Sequence, residues 1–301
     1  MTPLMALFRA RRASVSTTLV VETTDLRFLT VRSGRVEKWG SFPLPGGLVS
    51  QGLVNDALEM GKIIEELFAA EGLEREQVIT SVSGLRSIPR VVTMPQLPAS
   101  QLGQAVSRVA RREMPVPIET LYLSWEALSE TGNQQRVYLL GVPRELIDGQ
   151  VRALQAADIS VRVMDLKPLA LIRAVAQAEA IVANLEQDEL GVAIVVDHLP
   201  ALVRTFSLES ENLSDPGKID RLATELQQTV RFHNDSRQGL PVAPRTPVYV
   251  TGKLFDSADA HDYLASVVDR PVERPSSPIP CPDALPLGEY ATNLGLALKR
   301  V

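Results

Sequence analysis

The chain has one cysteine in 301 residues, Cys281, so no internal disulfide can form and a reducing compartment is the expected setting. Its three histidines, His198, His233 and His261, have neither metal-ligand spacing nor a cysteine partner, which leaves no metal centre in the pattern. No apolar run reaches the roughly 18 to 20 residues that a membrane-spanning helix needs. A formal net charge of -5 excludes the overall basic footprint of a duplex-binding protein. Ser83-Gly84 lacks the preceding glycine of a nucleophile elbow, and Cys281 sits in a proline-rich coil without a local base. Lys253 follows Thr251-Gly252, but no earlier glycine stands at phosphate-loop spacing.

What is present is a chain that is 45% apolar and 22% charged, a balance that builds a core rather than a disordered coil, at a length of about two domains. The leader places Leu4, Met5, Leu7 and Phe8 before Arg9, Arg11 and Arg12. This is the reverse of a secretory signal, and the chain is expected to remain cytoplasmic. Arginines next to apolar residues also make the leader a candidate for weak contact with an anionic membrane surface.

Periodicity predicts an α/β protein. Strands LVVE, LRFLTVR and RVEKWGSFPL form a meander, followed by a helix over 55–70 with Asn55 as its cap. Strands QVITSVSG and SIPRVVTMP lead to a helix over 100–113 capped by Ser100. LYLSWEAL and QRVYLLGV precede a helix over 144–156, and SVRVMD runs into a helix over 166–183. The polar stretch at 184–189 is expected to be a linker, followed by a hairpin around His198 and a long helix opened by Asp215-Pro216. A strand hairpin and then a helix opens both halves, the plan of two lobes around a cleft.

Six strings carry a family resemblance in the right order. SFPLPGGLVSQGLVNDALEMGKIIEEL, ITSVSGLRSIPRVVTMPQLP and RREMPVPIE come first, then Met164-Asp165-Leu166-Lys167-Pro168-Leu169, LATELQQTVRFHN and NLGLALKR. Over nearly its whole length the chain resembles the PilM family of type IV pilus assembly proteins. The resemblance implies an α/β actin-like fold with ribonuclease H-like duplicated lobes. Lobe one would comprise residues 16–84, 159–183 and 288–301, with an inserted α+β subdomain at 85–158 and a reduced lobe two at 190–287. The family's helical subdomain after the second turn is expected to be shrunk here to SLESENLSDPGKID.

That fold holds nucleotide phosphates on two D-x-G-x-[ST] hairpin turns, where glycine lets backbone N–H groups reach the phosphates. By comparison with the family, the first turn here reads Glu22, Thr23, Thr24 and Asp25 without glycine. The second keeps Asp197 but replaces the rest with His198, Leu199 and Pro200, and the adenosine-side turn is reduced to Thr251-Gly252. Glu22, Thr23, Thr24, Asp197, Thr251 and Gly252 are therefore expected to form a decayed nucleotide site in a pseudo-ATPase. No cofactor is expected unless ATP and magnesium are retained there.

The resemblance implies a scaffold, peripheral at the cytoplasmic face of the inner membrane, that docks the N-terminal peptide of a PilN-like membrane protein and meets pilus motor ATPases. The docking region falls on the inserted subdomain, where Leu102, Val106 and Val109 are expected to wall a groove and Arg90 and Arg112 to supply donors. Two alternatives are weighed. One is a nucleotide-dependent switch or weak ATPase, which glycine at either turn would have favoured. The other is the cytoplasmic domain of a type II secretion L protein, whose pattern continues into a membrane span.

Overall fold

The computed structural model describes residues 15–209, 211–236 and 241–299, so the reading of the leader falls outside the described residues. Strands β1 (Val15–Val21), β2 (Asp25–Arg32) and β3 (Arg35–Pro43) make an antiparallel meander. A small ladder, β4 (Val49–Ser50) with β5 (Leu53–Val54), leads to α1 (Ala57–Glu71). Asp56, rather than Asn55, caps this helix by accepting from the Leu58 and Glu59 N–H groups, and Gly72 ends it in the left-handed conformation. Strand β6 (Val78–Val82) then pairs parallel to β1.

The insertion follows: β7 (Ile88–Pro95), α2 (Ala99–Glu113), β8 (Leu121–Thr131) and β9 (Gln134–Pro143), in a three-stranded sheet ordered β7-β9-β8. Ser100 lies inside α2, whose N-cap is Pro98. Helix α3 (Arg144–Ala156) lays Ala153 and Leu154 into the same core as Ile64 and Phe68 of α1. It therefore belongs to lobe one, and the insertion closes near Pro143 instead of Asp158. Strand β10 (Val161–Leu166) completes the first sheet in the order β10-β6-β1-β2-β3.

Helix α4 covers only Lys167–Val175, because Ala176 adopts φ 55° and closes it. Instead of continuing as helix to residue 183, the chain forms β11 (Ala180–Leu185). Every residue of this strand is buried, and a strand enclosed on both faces shows no period that separates it from a buried helix. Strands β12 (Glu189–Val196) and β13 (Leu199–Ser207) complete a second meander. The expected linker is the tip of its first hairpin. Helix α5 (Asp215–Asp235) is capped by Ser214. Then come β14 (Val248–Thr251), α6 (Ala258–Val267), β15 (Val272–Glu273) and α7 (Ala291–Ala297).

The second sheet is ordered β13-β12-β11-β14-β15, with β14 parallel to β11. Each lobe is thus a three-strand meander extended on the side of its first strand by two parallel strands. The same topology occurs twice, with the second copy starting at Ala180 rather than residue 190. Helices α4 and α7 lie between the sheets: Leu171 and Ile172 pack on β11 and β12, while Ala170 and Leu296 pack on Val20 and Ile79. Gly295 permits the crossing, since a Cβ there would lie 1.8 Å from the Ala170 carbonyl oxygen. Asn293, fully buried on α7, donates to the Thr18 and Arg27 carbonyls and ties this helix to lobe one. Among the described residues no helix is long and apolar enough to cross a membrane.

Candidate functional site

The duplicated topology identifies the two turns that face each other. The β1–β2 turn, Glu22 to Asp25, corresponds to the β11–β12 turn, Glu186 to Glu189, and both line a cleft of about 360 Å³ between the lobes. The two turns close alike: the Glu22 N–H donates to the Asp25 carbonyl at 2.9 Å, and the Glu186 N–H donates to the Glu189 carbonyl at 2.8 Å. The first N–H of each turn is therefore engaged within the turn itself.

Two buried cations join these turns. Lys167, at the start of α4, reaches Glu22 at 2.7 Å and Glu189 at 3.4 Å. Arg27 on β2 bonds Asp25 at 2.7 Å and holds Glu186 through two contacts, at 3.2 and 2.9 Å. It also donates to the Glu289 carbonyl at 3.1 Å and lies 3.6 Å from that residue's carboxylate. Each cation thus pairs with one carboxylate from each turn. The Ser83 hydroxyl, at the end of β6, donates to Glu189 in a further bond between the lobes.

Burial alone would lower the pKa of both cations. The facing carboxylates outweigh it, Glu189 and Glu22 for Lys167 and Glu186 for Arg27, and hold both above their ordinary values. Glu186 is pushed up to about 7, first by burial and then by the charge of Glu22, against the pull of Arg27 and Lys167. Five carboxylates thus face the two buried cations, with the exposed Lys253 3.6 Å from Glu289 as a third, which leaves an excess of negative charge in a space where charge is poorly screened.

The expected nucleotide residues divide accordingly. Glu22, Thr23 and Thr24 line the cleft, with the Thr24 hydroxyl turned onto Asp25 at 3.1 Å. Asp197 does not: it sits in the β12–β13 turn at φ 52°, at the other end of β12 from Glu189 and roughly 25 Å away at strand rise. The expectation was one hairpin late, because β11 read as helix. Thr251 is buried with its hydroxyl 3.0 Å from Asn184 Oδ1, directed into lobe two. Gly252, at φ 104°, is pressed against β11, where a Cβ would lie 2.0 Å from the Leu185 carbonyl oxygen. Lys253, Leu254 and Ser257, just beyond it, do reach the cleft.

Sequence reasoning missed Arg27, Lys167, Glu186 and Glu189 as site residues. A signal existed for Arg27, a charge set between the apolar Leu26 and Phe28 within a strand pattern, and for Lys167 within one of the quoted strings. Glu186 and Glu189 were concealed by the polar stretch that resembles a linker.

On the inserted subdomain, Leu102 and Val106 are buried against Val92, Met94, Val137 and Leu139, with Val109 partly buried beside them. These residues are the subdomain's own core and do not wall a groove, because α2 turns its apolar face onto the sheet. Arg90 and Arg112 are exposed, Arg90 donating to the Pro89 carbonyl and Arg112 pairing with Glu113 at 3.0 Å. The opposite face of the sheet packs Tyr138, Leu140 and Val142 on Val82, Leu146 and Leu166 of lobe one.

Solved structures with this architecture include a PilM–PilN type IV pilus biogenesis complex, at 21% identity, 94% of this chain and 97% of that one covered, and a TM-score of 0.75. The cytoplasmic domain of EpsL from the Vibrio cholerae type II secretion system matches at 14% identity, 95% and 97% coverage and a TM-score of 0.55. A Bacteroides thetaiotaomicron protein with an actin-like ATPase fold matches at 11% identity, 98% and 100% coverage and a TM-score of 0.52. These likenesses identify the actin-like fold. A search of curated proteins finds no match in sequence. The family model for type IV pilus assembly protein PilM matches residues 19–210, more than half of the sequence, and the chain belongs to the PilM family of type IV pilus assembly proteins.

Proposed function

We propose that this protein is a cytoplasmic scaffold of the type IV pilus inner-membrane assembly complex that docks the N-terminal segment of a PilN-like membrane protein and does not use ATP. Family membership and the likeness to a PilM–PilN complex support the scaffold and its partner. Docking such a partner places the protein at the inner face of the membrane, within reach of the pilus motor ATPases.

The observation that carries the second half is the charge arrangement of the cleft. A magnesium nucleotide needs free N–H donors at the turns and cations left over for its phosphates. Here neither turn, Glu22 to Asp25 or Glu186 to Glu189, has a glycine to bring its N–H groups onto a phosphate, Lys167 and Arg27 are bound to five carboxylates, and a triphosphate would meet more carboxylates than cations even with Lys218 and Lys253 on the cleft wall. The residues present do not fit that ligand, and no reaction is assigned.

A disordered peptide needs fixed donors to offset its ordering cost. With Leu102 and Val106 committed to the core, the exposed Arg90 and Arg112 are the testable donors. Arg90→Glu with Arg112→Glu should weaken a PilN-like N-terminal peptide about tenfold by fluorescence anisotropy with an unchanged melting curve. Unchanged affinity would move the docking site off this face.

A further inference from the structure

We infer that the buried ion pairs of the cleft are a resident latch, which holds lobe two against the root of the inserted subdomain and fixes its pose without a bound ligand. The bonding pattern is the first reason. Lys167, Arg27 and Ser83 belong to lobe one and its junction with the insertion, whereas Glu186 and Glu189 belong to the β11–β12 hairpin of lobe two. These contacts cross the cleft, and the side chains of the four charged residues are between 3% and 11% exposed, so water does not compete for them.

The second reason is where the latch ends. Ser83 is the last residue before the insertion departs, and its hydroxyl both donates to Glu189 and accepts the Leu85 N–H at 3.0 Å. The next residue, Gly84, is wedged between lobe two and α4: a Cβ there would lie 2.4 Å from Thr205 Oγ1 and 2.7 Å from Pro168. Its carbonyl accepts both the N–H and the hydroxyl of Ser87, which folds the root into a tight turn. Lobe two therefore grips the strand exit from which the subdomain hangs. Movement of the β11–β12 hairpin would release that root, because the packed interface has discrete seatings and not a continuum of them.

The charge arrangement supplies a variant that opens the latch without stranding a charge. Glu186→Ala with Glu189→Ala removes only the lobe-two side. Arg27 keeps Asp25 and Glu289, and Lys167 keeps Glu22. In hydrogen exchange on the full chain, the hydrogen-bonded amides of the 83–87 and 185–189 turns, those of Leu85, Ser87 and Glu186, should lose protection together, about tenfold or more. Amides in the middle of β1 and β11, around Val20 and Val182, should retain wild-type protection. Asp25→Ala, a removal within lobe one, should leave residues 83–87 protected.

Unchanged exchange at 83–87 in the double variant overturns the latch. So does equal exposure of 83–87 in Asp25→Ala, or simultaneous loss of protection in both lobe cores, which would make the network part of the general fold. The inference rests on the proposed nucleotide-free cleft, and the two fail separately. Saturating magnesium-ATP that raises protection at 83–87 in the wild type refutes the nucleotide-free reading, whereas the variant series refutes or upholds the latch with no nucleotide present.

Discussion

Arg27 and Glu186, 159 residues apart in sequence, form a two-pronged ion pair across the cleft, with Nη1 to Oε1 at 3.2 Å and Nη2 to Oε2 at 2.9 Å. Their side chains are only 3% and 6% exposed, so the pair has lost most of its hydration and persists because each charge faces its partner. Arg27→Met would leave Glu186, Asp25 and Glu289 without their shared cation. Removing one partner of a buried pair costs about 3–5 kcal/mol, and urea unfolding should show a loss in that range. Arg27→Lys should recover only part of it, since an ammonium lacks the planar fork.

The raised pKa of Glu186 sets a pH dependence. Its folded value is about 7, against roughly 4.3 in an unfolded chain. Between those values the folded protein holds a proton that the unfolded chain has released. The contribution of this group to stability is therefore complete below the lower value and is lost as pH rises towards 7, with a slope on the order of 1 kcal/mol per pH unit. The melting temperature of the wild type should fall relative to that of Glu186→Gln as pH rises from 5 to 7, and parallel or oppositely sloped curves would contradict the shift.

ATP should not stabilise the protein. A ligand at a hundredfold excess over its Kd contributes about 2.7 kcal/mol, several degrees in melting temperature for a chain of this size. Differential scanning fluorimetry with millimolar magnesium-ATP should show no such rise, and a rise abolished by Glu22→Gln would place nucleotide in the cleft after all.

Two glycines should respond oppositely to alanine. At Gly295 the new Cβ would overlap the Ala170 carbonyl oxygen at the α4–α7 crossing, so Gly295→Ala should cost towards the upper end of about 1–3 kcal/mol. At Gly103, in α2, nothing lies within 4 Å of the added atom. Gly103→Ala should stabilise by up to about 1 kcal/mol through helix propensity alone. Denaturant midpoints of the two variants distinguish a packing glycine from a tolerated one.

The sequence alone determined the element types where the pattern is local: the β1–β3 meander from alternation and the Ser33-Gly34 turn, α1 and its Gly72 stop, and α3 from its apolar face. It also determined that the first cleft turn lacks glycine and, through ordered strings such as Met164 to Leu169, the family. Which hairpin faces the cleft was decided only by tertiary structure. Ala180–Leu185 is buried on both faces and alanine-rich, so it carries no period of its own, and its strand state comes from pairing with β12 and β14. That pairing moved the second turn from Asp197 to Glu186–Glu189. The site charges followed the same rule: Arg27, Lys167, Glu186 and Glu189 are ordinary surface residue types in sequence, and only the closing of two lobes from distant segments buries them together. Leu102 and Val106 show the complementary limit, since helical spacing established that they share an apolar face but the sheet beneath α2 decided that this face is core.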